Sequence, residues 1–141
     1  NLRLRPTILK MAPGTRVTSH AFTMGDWEPD AKFEVDFRTG YLWIVPARVA
    51  GNWTLREQGG GNPITLALQQ NYQKVSGEAN VGGKRQPLAG AALRGDALTL
   101  ELPDANGARR TLKATVKGDT LVGTMTGPDG KPVQVTGSRR D

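Results

Sequence analysis

The chain has 141 residues, enough for one domain or two small ones, which excludes a large multidomain enzyme contained within it. Apolar residues make up 37%, while 18 Gly and 9 Pro point to many turns and short elements and away from an all-helical bundle. The net charge of +6 is spread along the chain, with 7 basic and 5 acidic residues in 1–50 and 12 and 8 in 51–141, so it reads as solubility and not as a nucleic-acid footprint. With no Cys there is no disulfide framework, thiol nucleophile or thiolate metal site. No apolar run approaches the ~18 residues of a membrane span. The start, Asn1-Leu2-Arg3-Leu4-Arg5-Pro6, has neither an initiating Met nor a signal-type apolar segment, which raises the expectation that upstream sequence has been removed.

Phe22, Trp27, Phe33, Phe37, Tyr41 and Trp43 precede residue 44, and only Trp53 and Tyr72 follow among the aromatics. Two differently built cores are expected, divided at residues 46–51, where Tyr41-Leu42-Trp43-Ile44-Val45 ends in a proline and a stretch of small residues. In residues 1–50 the pattern predicts a helix over 4–11, with Pro6 in its first turn and Pro13-Gly14 as its stop. Residues 16–22 read as a strand by their β-branched content, and 32–37 as a second with Phe33, Val35 and Phe37 on one face. The apolar run 41–45 has the pattern of a strand covered on both faces. Residues 1–50 cannot supply both layers, so this part reads as the edge of a larger sheet.

Residues 51–141 show short alternating segments between turn residues, the signal of an antiparallel barrel or sandwich. Strands are predicted over 51–57, 64–70, 74–79, 86–93, 97–102, 111–116, 120–126 and 132–138, eight in number and sufficient for a small up-and-down barrel of the lipocalin or avidin kind. Gly59-Gly60-Gly61-Asn62-Pro63, Gly95-Asp96, Asn106-Gly107, Gly118-Asp119 and Asp129-Gly130 supply the turns. Val75-Ser76-Gly77-Glu78-Ala79 aligns with Leu121-Val122-Gly123-Thr124-Met125 at an offset of 46, a repeated hairpin. Period two places Leu98, Leu100 and Leu102, and likewise Leu121, Gly123 and Met125, on inward faces, with Trp53 as the one large interior plug. Inward Gly77, Gly90, Gly123 and Gly137 admit two readings: bends that let the sheet curl, which is preferred, or space for a ligand.

Chemistry-bearing patterns are sparse. The single histidine, His20, lies in a strand-like segment without metal-ligand spacing, and adjacent Ser19 points to the opposite face, which argues against a dyad. Asp26, Glu28, Asp30, Glu34 and Asp36 are clustered in sequence, and read as a solvated loop and the outward face of a strand. The stretches 59–61 and 82–85 lack a phosphate-loop pattern. No catalytic, cofactor-binding or metal residue is assigned. After Tyr72 no aromatic remains on which a base could stack, which speaks against nucleic-acid binding.

Leu2-Arg3-Leu4-Arg5-Pro6, Pro13-Gly14-Thr15-Arg16-Val17, Ser19-His20, Met24-Gly25-Asp26-Trp27-Glu28-Pro29-Asp30 and Tyr41-Leu42-Trp43-Ile44-Val45-Pro46-Ala47 closely resemble the C-terminal end of a group of bacterial class I S-adenosylmethionine-dependent methyltransferases. The resemblance covers residues 1–50. It implies a helix following the fourth strand, then the antiparallel sixth and seventh strands of a Rossmann-like sheet, with a glycine-rich β domain after them. Such enzymes bind S-adenosylmethionine through a glycine-rich loop and an acidic residue in their N-terminal half. That half is absent here, so no binding residue of the family carries over, and Asp26 and Trp27 are candidates only for a loop near the substrate side.

The leading expectation is therefore an inactive C-terminal part of a methyltransferase: the incomplete catalytic-domain end at 1–50 and an accessory β-barrel at 51–141. The partner it implies is the N-terminal methyltransferase half, in a bacterial cytoplasm or periplasm. The alternative is a non-enzymatic barrel module that binds an apolar ligand. Exposed apolar residues and free strand edges in 15–45 further predict a homo-oligomer through that segment.

Overall fold

The computed structural model describes residues 2–20, 22–103 and 108–140. Among these the chain is mainly β, with one short helix and two antiparallel sheets. The helix α1 (Arg5–Leu9) is shorter than the predicted 4–11. Pro6 lies in its first turn, where no helical N–H is lost, and Ile8 is its one buried residue. A three-stranded sheet follows in the order β1 (Arg16–His20), β3 (Arg38–Ile44), β2 (Ala31–Val35).

Two details of this sheet differ from expectation. The strand predicted over 32–37 ends at Val35, because Asp36 and Phe37 take left-handed φ values of 51° and 65° and form a two-residue hairpin turn into β3. Phe37 therefore stands fully exposed at the turn tip instead of sharing a face with Phe33 and Val35, and all of β2 is exposed. The run 41–45 is also not covered on both faces throughout. Trp43, Ile44 and Val45 are buried while Tyr41 and Leu42 are half-buried, since the end of β3 meets the rest of the molecule and earlier in the strand only Gly40, against the Phe33 ring, is buried.

Residues from 51 onward form a nine-stranded sheet curled into a half-barrel. Its strands are β4 (Gly51–Glu57), β5 (Ile64–Asn71), β6 (Lys74–Val81), β7 (Lys84–Pro87), β8 (Gly90–Arg94), β9 (Ala97–Pro103), β10 (Arg109–Lys117), β11 (Thr120–Thr126) and β12 (Pro132–Arg140), in the order β7-β6-β5-β4-β12-β11-β10-β9-β8. Sheet neighbours are consecutive in sequence everywhere except where β12 pairs with β4, so the sheet is a meander. The single strand predicted over 86–93 is divided into β7 and β8, which lie on opposite edges. At the break, Leu88 donates its N–H to Gly77 O on β6 (3.0 Å) and Ala89 donates to Glu101 O on β9 (2.9 Å). The predicted turns at 59–63, 95–96, 118–119 and 129–130 all join consecutive strands; that at Asn106-Gly107 lies outside the described residues.

The concave side is filled by Trp53, Leu55, Ile64, Leu66, Leu98, Leu100, Leu102, Leu112, Leu121, Met125 and Val135, each at most 2% exposed. Burying side chains of this size contributes roughly 2 kcal/mol each. The glycines on this side mark close approach, not free space. A Cβ on Gly77 would lie 2.0 Å from Ala67 O, and one on Gly123 2.3 Å from Lys113 O. Gly137 is packed against Leu55 and Leu121. Gly90 does not face inward at all: it pairs with Glu101 and lies beneath that side chain, because the break at 88–89 resets the alternation.

Candidate functional site

The two predicted site residues occupy the loop between β1 and β2. Met24 and Trp27 form an isolated antiparallel bridge closed by Trp27 N–H to Met24 O (3.4 Å), with Gly25 at φ 69°. Gly25 is favoured there by its left-handed φ; a Cβ would lie 2.7 Å from the end of the exposed Leu2 side chain, which can yield. This tight turn separates two sequence neighbours: Asp26 projects outward and Trp27 is driven fully inside.

Asp26 Oδ1 accepts hydrogen bonds from Arg5 Nη1 (2.6 Å) and from the Tyr72 hydroxyl (2.9 Å). Arg5 Nη1 also donates to Met24 O (2.9 Å), and its guanidinium lies 5.7 Å from the Tyr72 ring centroid. The Tyr72 hydrogen bond, ahead of the Asp26 backbone amide and the Arg5 charge, holds the Asp26 carboxyl below its ordinary pKa against partial desolvation. The same bond, followed by desolvation, raises the Tyr72 phenol. Asp26 is thus a fixed anion at neutral pH and Tyr72 a fixed donor. The pair is suited to clamping and poorly suited to proton transfer.

Trp27 belongs to the N-terminal core with Ile8, Met24, Trp43 and Val45, against which Tyr72 packs. Its ring stacks on Tyr72 (centroids 5.8 Å apart, 13° between planes) and tilts against Trp43 (6.4 Å, 57°), whose Nε1 donates to Trp27 O (2.9 Å). Trp27 Nε1 is itself buried and has no hydrogen-bond partner. Trp27 is therefore part of the packing and does not reach solvent. Glu28 continues the contact with the half-barrel, pairing with Lys74 Nζ (3.0 Å) and accepting from Gln73 Nε2 through its carbonyl (2.7 Å).

Tyr72, Gln70 and Arg139 complete the junction. Tyr72 adopts φ 57° in the two-residue turn between β5 and β6. Gln70 accepts from Val49 N (2.7 Å) and Ala50 N (3.2 Å) and donates to Ala47 O and Tyr72 O, so one side chain pins the connecting segment 46–50. From the other side Arg139 donates to Arg48 O (2.6 Å) and Asp119 Oδ1 (2.7 Å), with its guanidinium over the Trp53 ring. Neither Gln70 nor Arg139 carries a sequence pattern that marks it. Tyr72 did carry a signal: a bulky aromatic at a hairpin position that ordinarily takes Gly or Asn needs a packing reason.

The remaining candidates disperse. His20 is exposed at the end of β1, and Ser19 lies on the opposite face with its hydroxyl donating to Phe22 O (2.7 Å). Asp30 Oδ2 accepts from Ile44 N (2.6 Å), so the carboxylates clustered in sequence serve separate partners. Among the described residues no three His, Cys, Asp or Glu converge as a metal site, and no helix is long and apolar enough to cross a membrane. A crevice of about 620 Å³ lies between α1 and one end of the half-barrel, lined by Leu9, Met11, Pro13, Pro46, Val116 and Lys117 among others. Comparison with family models, curated proteins and solved structures returned no match to this chain.

Proposed function

We propose that this chain is the C-terminal region of an S-adenosylmethionine-dependent methyltransferase, with α1 and the three-stranded sheet as the end of its catalytic domain and the half-barrel as an accessory domain. The observation that carries this reading is the gathering of the resemblance-bearing segments into one unit. Arg5, Met24–Trp27 and Tyr41–Val45 surround a common core of Ile8, Met24, Trp27, Trp43 and Val45, with β2 and β3 as an antiparallel pair behind a helix. The finer architecture follows in the same reading. The hairpin β2–β3 is the terminal hairpin of a Rossmann-like sheet, and residues 84–94 are one strand bent at Leu88-Ala89, which makes the half-barrel an eight-stranded up-and-down barrel.

The described residues do not by themselves fit S-adenosylmethionine. Every strand pair among the described residues is antiparallel and α1 spans five residues, so no strand, glycine loop and helix N-terminus converge on a nucleotide. The cofactor would accordingly be held by an N-terminal half. Methyl transfer is an in-line displacement that depends on holding cofactor and nucleophile in register. This chain's part is to hold the 22–30 loop rigidly through Arg5 and Tyr72. Calorimetric titration tests the proposal. The full product of the gene is expected to bind S-adenosylmethionine stoichiometrically, and the 141-residue chain alone to bind none; a full product without saturable binding overturns it.

An apolar-ligand module remains the second reading, favoured by the crevice beneath α1 and not by the filled interior. Saturable binding of an apolar fluorophore to the chain, weakened by Met11→Asp, would support it.

A further inference from the structure

Strand β2 is the outer strand of its sheet, all five of its residues are exposed, and its far edge has no strand neighbour among the described residues. An open edge is a template for another strand unless the sequence blunts it. Here the sequence is Ala31-Lys32-Phe33-Glu34-Val35, with opposite charges placed symmetrically about a central aromatic. The two-residue turn makes Val35 and Arg38 a hydrogen-bonded pair, and bonding alternates from there. Phe33 thus directs its backbone groups to Gly40, while Lys32 and Glu34 direct theirs to the open edge.

The geometry points to a second copy of this chain as the occupant of that edge, paired antiparallel with β2 about a two-fold axis through Phe33. In this register Lys32 faces Glu34 of the second copy on both sides of the axis, joining opposite charges and exchanging backbone hydrogen bonds. Phe33 faces its own copy in the closer, non-hydrogen-bonded pair, and Ala31 faces Val35. Registers centred on Lys32 or Glu34 set like charges opposite one another instead. The same register also joins two apolar faces. Ala31, Phe33 and Val35 share a face with Leu42, and Phe33 and Val35 are 38% and 56% exposed, so the stripe of one copy continues into the other. A two-fold pairing closes on itself and yields a dimer, not a filament. The inference stands independently of the methyltransferase reading.

Sedimentation velocity on the 141-residue chain tests it. The wild type is expected to show a concentration-dependent monomer–dimer equilibrium. Lys32→Glu or Glu34→Lys alone is expected to weaken it by roughly tenfold or more, and the double variant K32E/E34K to restore it, because opposite charges again face each other. Near-UV circular dichroism of the buried Trp27 and Trp43 verifies that each variant retains the fold. A chain monomeric at all concentrations, a dimer indifferent to the single reversals, or a double variant that stays dissociated overturns the proposal.

Discussion

Tyr72 shows how one residue of the half-barrel can serve the core of the N-terminal unit. Its ring closes the aromatic stack on Trp27, its hydroxyl fixes Asp26, and its carbonyl accepts from Gln70. Because folding lowers the Asp26 pKa, the clamp's contribution is fully present above the ordinary carboxylate value and is lost as pH falls through the folded value. Because folding raises the Tyr72 pKa, its contribution is present below the ordinary phenol value and is lost as pH rises through the folded one. Urea midpoints measured against pH are therefore expected to show a wild-type advantage over Asp26→Asn that is steady between about pH 4 and 10 and shrinks outside that window. Trp27→Ala, which empties the centre of the stack, is expected to cost about 3–5 kcal/mol in the same assay.

At the scale of the element, the internal repeat has a structural meaning. Adding the offset of 46 carries Gly77 to Gly123 and Ala67 to Lys113, and in both hairpins the glycine faces the corresponding carbonyl at a distance no Cβ could accept. The repeat thus encodes a close crossing of strands, which lets the sheet curl. Gly77→Ala and Gly123→Ala are each expected to lose more than about 2 kcal/mol, since backbone and not a flexible side chain must yield. Gly118→Ala, at φ 61° with open space around it, is expected to lose only about 1 kcal/mol. Equilibrium denaturation of Gly123→Ala, crowded without a left-handed φ, against Gly118→Ala separates crowding from backbone strain.

On the scale of the whole molecule, the connectivity places the turns at 72–73, 95–96 and 118–119 at one end of the half-barrel, and the N-terminal unit is seated there. Tyr72 meets Trp27, Ala47 N–H bonds to Gly95 O (2.8 Å), and Arg139 spans from Asp119 to the 46–50 segment. With Gln70 and Arg139 gripping that segment from opposite sides, the two cores are expected to unfold together, giving coincident tryptophan-fluorescence and far-UV transitions. Gln70→Ala leaves the amides of Val49 and Ala50 and the carbonyl of Ala47 without their partner, and is expected to cost about 2–3 kcal/mol and to separate the two transitions.

What the amino-acid sequence determined by itself was local. Alternation within strands, glycine-bearing turns and the repeated hairpin all follow from period two and from φ preferences, which neighbouring residues set. The uneven placement of aromatics raised the expectation of two differently built cores, with residues near 46–51 as the division between them. Only the tertiary structure decided which edges the two halves of 84–94 join and that Phe37 sits at a turn. It also decided that Trp27 is buried while adjacent Asp26 is held outside by Arg5 and Tyr72. These outcomes depend on contacts between residues distant in sequence, such as Asp26 with Tyr72 and Arg139 with Arg48, which leave no periodic trace in either segment.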